Sequence, residues 1–144
     1  MYLGAKLRTR HVHGDTYAWT LSPSKYVQEA VSNCKKFLKE NLDGKYRLYP
    51  EAPNPFLHGY DPIVDTSKEC NPQEASYFQS IIGVMRWMIE LGRVDIATEI
   101  SLLSSHLALP RVGHLEAAIH VMSYLSKKHN SSLVFDPTYP EIDR

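Results

Sequence analysis

Apolar and polar residues alternate at both ends of the segment from Tyr2 to Leu21. Leu3, Ala5 and Leu7 interleave with Tyr2, Gly4, Lys6 and Arg8, and Tyr17, Trp19 and Leu21 interleave with Thr16, Ala18 and Thr20. Successive strand side chains point to opposite faces, so this period of two predicts two strands, each with one buried face. Gly14-Asp15 supplies the turn, within a connection longer than a two-residue loop. Residues 1–21 are therefore expected to form a β-hairpin.

After Ser22-Pro23 the period changes. Tyr26, Val27, Ala30, Val31, Cys34, Phe37 and Leu38 recur at helical spacing, while Lys25, Gln28, Glu29, Ser32, Lys35, Lys36 and Lys39 fill the other face. Ser22 is the expected N-cap, Pro23 suits the first helical position, and Gly44 lies just past the end, giving a helix over 22–41. Residues 42–72 hold Pro50, Pro53, Pro55, Pro62 and Pro72, a density that forbids a long helix and predicts an irregular strap. Leu57, Tyr60, Ile63 and Val64 are its expected anchors.

Three helices are expected over 73–130. Asn71-Pro72-Gln73-Glu74 has the form of an N-cap, a first-turn proline and a capping-box acid. Tyr77, Phe78, Ile81, Ile82, Met85, Met88 and Ile89 then share a face, and Gly92 stops the helix. The next helix starts near Asp95, buries Ile96, Ile100, Leu103 and Leu107, and ends at Pro110. The last starts near Val112–His114 and turns Leu115, Ala118, Ile119, Met122 and Leu125 inward, with Lys127, Lys128 and His129 at its dipole-negative end. Residues 131–144 read as a short strand at Ser131–Phe135 and a linker. The expected fold is α+β and mainly helical, with an N-terminal hairpin, about four helices and the strap between the first two. Its core would be Phe37, Ile81, Met85, Ile89, Ile96, Ile100, Leu103, Ile119, Met122 and Leu125.

Composition narrows the function classes. The chain has 144 residues, 43% of them hydrophobic and 22% charged, enough for one globular domain or part of a larger one. Lys+Arg and Asp+Glu are equal at 16 each, which excludes a uniformly basic nucleic-acid binder but not a basic stripe on one face. The two cysteines, Cys34 and Cys70, lack zinc-site spacing and read as reduced thiols, so an intracellular setting is expected. No apolar run reaches the ~18 residues of a membrane span, so no membrane partner is expected, nor a signal peptide. A chain opening directly on strand-forming residues is expected of an excerpt from a longer one.

Leu91–His114 contains the ingredients of a hydrolase: Ser101, Ser104 and Ser105 with His106 and His114. A nucleophilic serine needs a sharp strand-to-helix elbow and a base in reach, and these serines are mid-helix, so packing and capping roles are favoured. Arg93 and Asp95 read as an ion pair at a helix start. His11 and His13 lack a third ligand at metal-site spacing. No catalytic and no metal site is therefore assigned. The hairpin is richer: Lys6, Arg8 and Arg10 lie close to Tyr17 and Trp19, and Lys25, Lys35 and Lys36 follow on the first helix. Basic groups interleaved with aromatics hold phosphates and stack on bases.

Taken in order, the motifs resemble the later part of copia-type retrotransposon reverse transcriptases. They are Tyr2-Leu3-Gly4, Ser22 to Tyr26, Tyr77 to Gly83, Arg93 to Ile96, Leu103-Ser104, Pro110, His114 and Tyr124-Leu125. The resemblance covers nearly the whole chain, although the family's Thr-Arg-Pro-Asp stands here as Gly92-Arg93-Val94-Asp95 and the segment around Pro50–Cys70 is long. It implies that the hairpin is a primer grip, that 22–41 begins a thumb, and that the later helices lead through residues 131–144 toward a ribonuclease H domain. The implied partners are an RNA–DNA hybrid or template–primer and the palm and ribonuclease H portions of the polyprotein. The family's Tyr-x-Asp-Asp motif is not in this sequence, so no cofactor is implied for this chain, and magnesium belongs to the intact polymerase. The implied location is a cytoplasmic particle or the nucleus. A helical interaction module, or a remnant of an element, is the alternative.

Overall fold

The structure, a computed structural model, describes residues 4–138. Tyr2 and Leu3 of the Tyr-Leu-Gly motif, and the end of the tail from Tyr139, lie outside the described residues. The fold is α+β and mainly helical. Strands β1 (Lys6–His13) and β2 (Thr16–Ser22) form the hairpin, helix α1 (Ser24–Glu40) follows, and the strap leads to α2 (Pro72–Glu90), α3 (Ala97–Ser104) and α4 (Val112–Lys127). Strand β3 (Leu133–Phe135) returns to the hairpin, giving an antiparallel sheet in the order β1-β2-β3.

The hairpin arms run further than the alternation suggests. β1 continues through His13, and Gly14-Asp15 alone make the turn. The register shifts between His11 and His13, so Val12 is absorbed as a bulge. An extra residue in one arm breaks the period-two pattern, which is why the segment reads as loop. Ser22 is not the N-cap of α1. It is the last residue of β2, and its hydroxyl donates to the Ser131 carbonyl at 3.1 Å, because β3 brings that loop alongside. Pro23 takes the cap position, and the helix begins at Ser24.

α1 buries Val27, Val31, Cys34 and Leu38. Phe37 is half-buried and stacks on Tyr77 at 4.1 Å between ring centres, and Ile89 is also half-buried; neither sits in the centre of the core. α2 opens on the expected capping box: Asn71 Oδ1 accepts from the Glu74 amide at 2.8 Å, and Glu74 Oε2 accepts from the Asn71 amide at 3.0 Å. Glu74 is itself buried. Burial pushes its carboxyl up, but the Asn71 amide, the Tyr46 hydroxyl and Lys45 outweigh that and hold it below the usual carboxylate range. The turn after α2 carries Gly92 at φ +112, a conformation that favours glycine. A Cβ there would lie 3.5–3.6 Å from Leu21 and Leu133, so this turn is where the sheet rests on the helices.

A 3-10 turn at Val94–Ile96 precedes α3, which ends at Ser104. Leu107 therefore packs from the following turn, half-buried, and not from the helix stripe. α4 is the central helix, with buried residues on nearly every side.

The strap wraps α4, but its anchors differ from expectation. Leu57, Ile63 and Val64 are 55%, 72% and 69% exposed, and of the four expected anchors only Tyr60 packs against the core. Leu42, Tyr46, Ala52 and Pro62 are buried instead. Polar bonds to α4 hold the rest. The Tyr49 amide donates to Ser123 Oγ at 2.9 Å, His120 Nδ1 to the Pro55 carbonyl at 2.7 Å, and His114 Nε2 to the Pro62 carbonyl at 2.9 Å. Glu69 bridges Arg111, where the Val112 amide donates to Lys68 at 2.8 Å and the Cys70 amide to Pro110 at 3.0 Å. Buried polar groups on a helix must find partners, and here the strap backbone provides them.

Candidate nucleic-acid interface

The hairpin register decides what shares a surface. Lys6 pairs with Ser22, Arg8 with Thr20 and Arg10 with Ala18; Leu7 pairs with Leu21, Thr9 with Trp19 and His11 with Tyr17. Directly opposed residues on neighbouring strands project to the same side. The basic residues therefore lie on one face, and Tyr17 and Trp19 lie on the other. The expected interleaved basic and aromatic surface is divided by the sheet, because Tyr17 and Trp19 register with Leu7, Thr9 and His11 and not with the cations. Phe135, opposite Trp19, joins the aromatic face. Leu7, Tyr17, Trp19 and Phe135 are between 51% and 62% exposed.

On the basic face a cavity of about 460 Å³ opens between the hairpin, the start of α1 and the loop from α4 to β3. Lys6, Arg8 and Lys25 line it, with Thr20, Ser22, Ser24, Gln28, Asn130 and Ser132, and none of these described residues is acidic. Gly4 also lines it, at φ +100 against Tyr26 and Leu91. Three long-range bonds hold the walls together: Ser22 to Ser131, and both Ser24 Oγ and Gln28 Nε2 to His129 Nδ1, at 3.1 and 3.2 Å. The Thr20 hydroxyl donates to the Arg8 carbonyl at 3.2 Å, fixing the floor. The first turn of α1 has neither an acidic residue nor a side-chain cap, so the positive end of its dipole adds to the field of the three cations. Cations, hydroxyls and amides, with no carboxylate among the described lining residues, make a surface suited to phosphate oxygens.

The other predicted cations are distributed along α1. Lys36 is exposed eleven residues after Lys25, about three helical turns and roughly 16 Å along the same face. Lys35 turns toward a smaller recess of about 280 Å³ shared with Lys39 and Arg47. Arg10 extends the row on β1. The cavity walls from Asn130 and Ser132 are not legible in the sequence. Asn130 closes the expected helical unit and Ser132 falls in the expected strand Ser131–Phe135, which the structure shortens to Leu133–Phe135, and only the return of β3 brings both residues to the hairpin.

The remaining candidates are structural in their geometry. Arg93, 1% exposed, donates to Asp95 through Nε at 3.0 Å and through a terminal nitrogen at 2.8 Å, and the Tyr124 hydroxyl donates to the same carboxylate at 2.8 Å. Burial pushes Asp95 up, but Arg93 and Tyr124 prevail and lower it. His106 and His114 do meet, stacked at 4.0 Å between ring centres. Burial, and then the neighbouring His114, push His106 below the ordinary histidine range. His114 Nδ1 accepts from the Arg111 amide at 3.0 Å while its other nitrogen holds the strap, so neither nitrogen is free to act as a base. Ser104 donates to the Ile100 carbonyl at 2.7 Å, and Ser101 and Ser105 are exposed. Pro110 is buried beside the strap, and Gly83 is exposed on α2. His11 contacts the Gly14 carbonyl, and His13 faces Asp136 at 4.0 Å. Among the described residues no three His, Cys, Asp or Glu side chains cluster to hold a metal, and no helix is long and apolar enough to cross a membrane.

No family model matches the chain, and no solved structure matches it significantly. Over 110 residues it is 38% identical to a protein of the transposon Ty5-1 in Saccharomyces cerevisiae, an alignment covering 74% of this chain and 30% of that protein. The chain is thus similar to a transposon-element protein and spans about 30% of that relative's length.

Proposed function

We propose that this chain is the nucleic-acid-positioning part of a transposable-element reverse transcriptase of the copia type. It holds template–primer by its phosphates and contributes no catalytic centre of its own. The observation that carries this reading is the convergence of Lys6, Arg8 and Lys25 on one polar cavity whose described lining residues include no acid. The similarity to a transposon protein and the order of the motifs support it. In this reading the hairpin is the primer grip and α1 opens the thumb. Lys35, Lys36 and Arg10 extend the phosphate track. The aromatic face with Tyr17 and Trp19 rests on the palm of the whole polymerase and does not stack on bases. Residues 131–144 lead toward ribonuclease H, magnesium is held by the polymerase's own aspartates, and the working compartment is a cytoplasmic particle or the nucleus.

The test is binding of the full chain to an RNA–DNA hybrid with a recessed primer end, read by fluorescence anisotropy between about 50 and 200 mM salt. Micromolar affinity is expected, with log K falling by roughly 0.9 per log unit of salt for each phosphate contact. Neutralising Lys6, Arg8 and Lys25 to Gln together should lower that slope by about 2 to 3. Binding indifferent to salt, or undiminished in the triple variant, overturns the proposal. The exposed face of Leu7, Tyr17, Trp19 and Phe135 favours one other reading, a protein-binding module left by an element. That reading expects partner capture lost in Trp19→Ala with no affinity for the hybrid.

A further inference from the structure

We infer that Ser132 is a phosphorylation site whose phosphate closes the basic cavity. The inference rests on reading that cavity as a phosphate-binding surface. Ser132 is exposed in the irregular segment between α4 and β3, and it forms the wall facing Lys6, Arg8 and Lys25. The segment is pinned across the cavity by the bonds of His129 to Ser24 and Gln28. Ser131 is the poorer target, since it is half-buried and its carbonyl is tied to Ser22. Lys127 and Lys128, both exposed, precede Ser132 by five and four residues. They form the kind of upstream basic pair that a protein kinase with an acidic substrate groove selects by charge.

The donor is ATP. Ser132 Oγ attacks the γ-phosphorus, the bond from that phosphorus to the β–γ bridging oxygen breaks, ADP leaves, and the hydroxyl proton passes to the kinase's base. The product carries a charge of about −1.5 to −2 and three acceptor oxygens at neutral pH. Facing two lysines and an arginine, these oxygens form charge-assisted hydrogen bonds and lock the loop onto the hairpin. The cavity's charge is then satisfied from within, and a nucleic-acid phosphate is excluded.

The full chain is treated with a basic-directed serine/threonine kinase and ATP, and the phosphate is located by tandem mass spectrometry. It is expected on Ser132 and absent from that peptide in Ser132→Ala; no phosphate there in the wild-type chain overturns the inference. Phosphorus NMR then follows the second ionisation of the phosphoserine. It should fall below the ordinary value of about 6 and return toward it in Lys6→Gln/Arg8→Gln; an ordinary value in both overturns the cavity contact. Finally, kinase treatment should weaken hybrid binding roughly tenfold or more in the wild-type chain, and treated and untreated Ser132→Ala should bind alike. An undiminished affinity after full modification refutes the closure. If the untreated chain does not bind the hybrid, the functional reading fails on its own, and the NMR comparison still decides whether the phosphate enters the cavity.

Discussion

α4 and β1 stand at opposite limits of burial. Ten of the sixteen residues of α4 are buried, whereas none of the eight in β1 is. Each polar side chain buried on α4 has a partner in the chain: His114 and His120 hold carbonyls of the strap, and Ser123 takes an amide from it. The helix is accounted for by the fold. β1 is not. Its cations face an open cavity, Leu7 faces outward on the other side, and among the described residues β1 pairs only with β2. A strand that buries nothing and still alternates cations with uncharged residues carries a pattern the fold itself does not use. Under the proposed function, these are the two surfaces that would meet template–primer and the palm.

The helical unit should respond most to substitution. Phe78 is fully buried, so Phe78→Ala is expected to cost about 3–5 kcal/mol in urea unfolding. A loss below about 1 kcal/mol would show that the packed core is not the main source of stability.

Acid provides a smaller and graded contrast. His106 ionises below its ordinary value when folded, so as pH drops below about 6.5 the unfolded chain takes up a proton that the folded chain refuses, and stability falls. Burial pushes Asp65 up, but it accepts from the Ser67 hydroxyl and amide and from the Tyr60 hydroxyl, which outweigh that, so it is held low like Glu74 and Asp95. The contributions of all three are complete above the unfolded carboxylate range and are lost as pH falls through their folded values. Unfolding midpoints measured from pH 7 downward should decline in these two steps. Glu74→Gln should flatten the second, and an unchanged slope in that variant would remove Glu74 from the account.

The smallest effect is the sharpest test of the sheet. Trp19 is a larger side chain than Phe78 but is 55% exposed, so Trp19→Ala should change stability by no more than about 0.5 kcal/mol. It should also leave the salt slope of hybrid binding intact, because Trp19 faces away from the cations. A loss of several kcal/mol would mean that the aromatic face is covered within the chain.

Much of this architecture is legible in the residues. The capping box at Asn71 and Glu74 and the stripes of α1 and α2 are encoded within a few positions, and all are found where the periodicity places them. The strap shows the limit. Leu57, Ile63 and Val64 are apolar and exposed, while the strap's polar attachments run through backbone groups that no side-chain pattern reports. The candidate site was legible as a list of cations and not as a place. Lys6, Arg8 and Lys25 stand out by charge, but Tyr17 and Trp19 stand out equally and belong to the other face.

The existence of the helices, their apolar faces and the concentration of positive charge follow from the residues alone, because hydrogen bonds and packing within three or four residues carry that information. That the cations of β1 meet the start of α1 and the Asn130–Ser132 loop follows instead from long-range packing. Register is the first reason: a slip of one residue would send every side chain of β1 to the opposite face. Distance is the second. The bond from Ser22 to Ser131 joins residues 109 apart, which the packing of α4 and the pairing of β3 with β2 hold together.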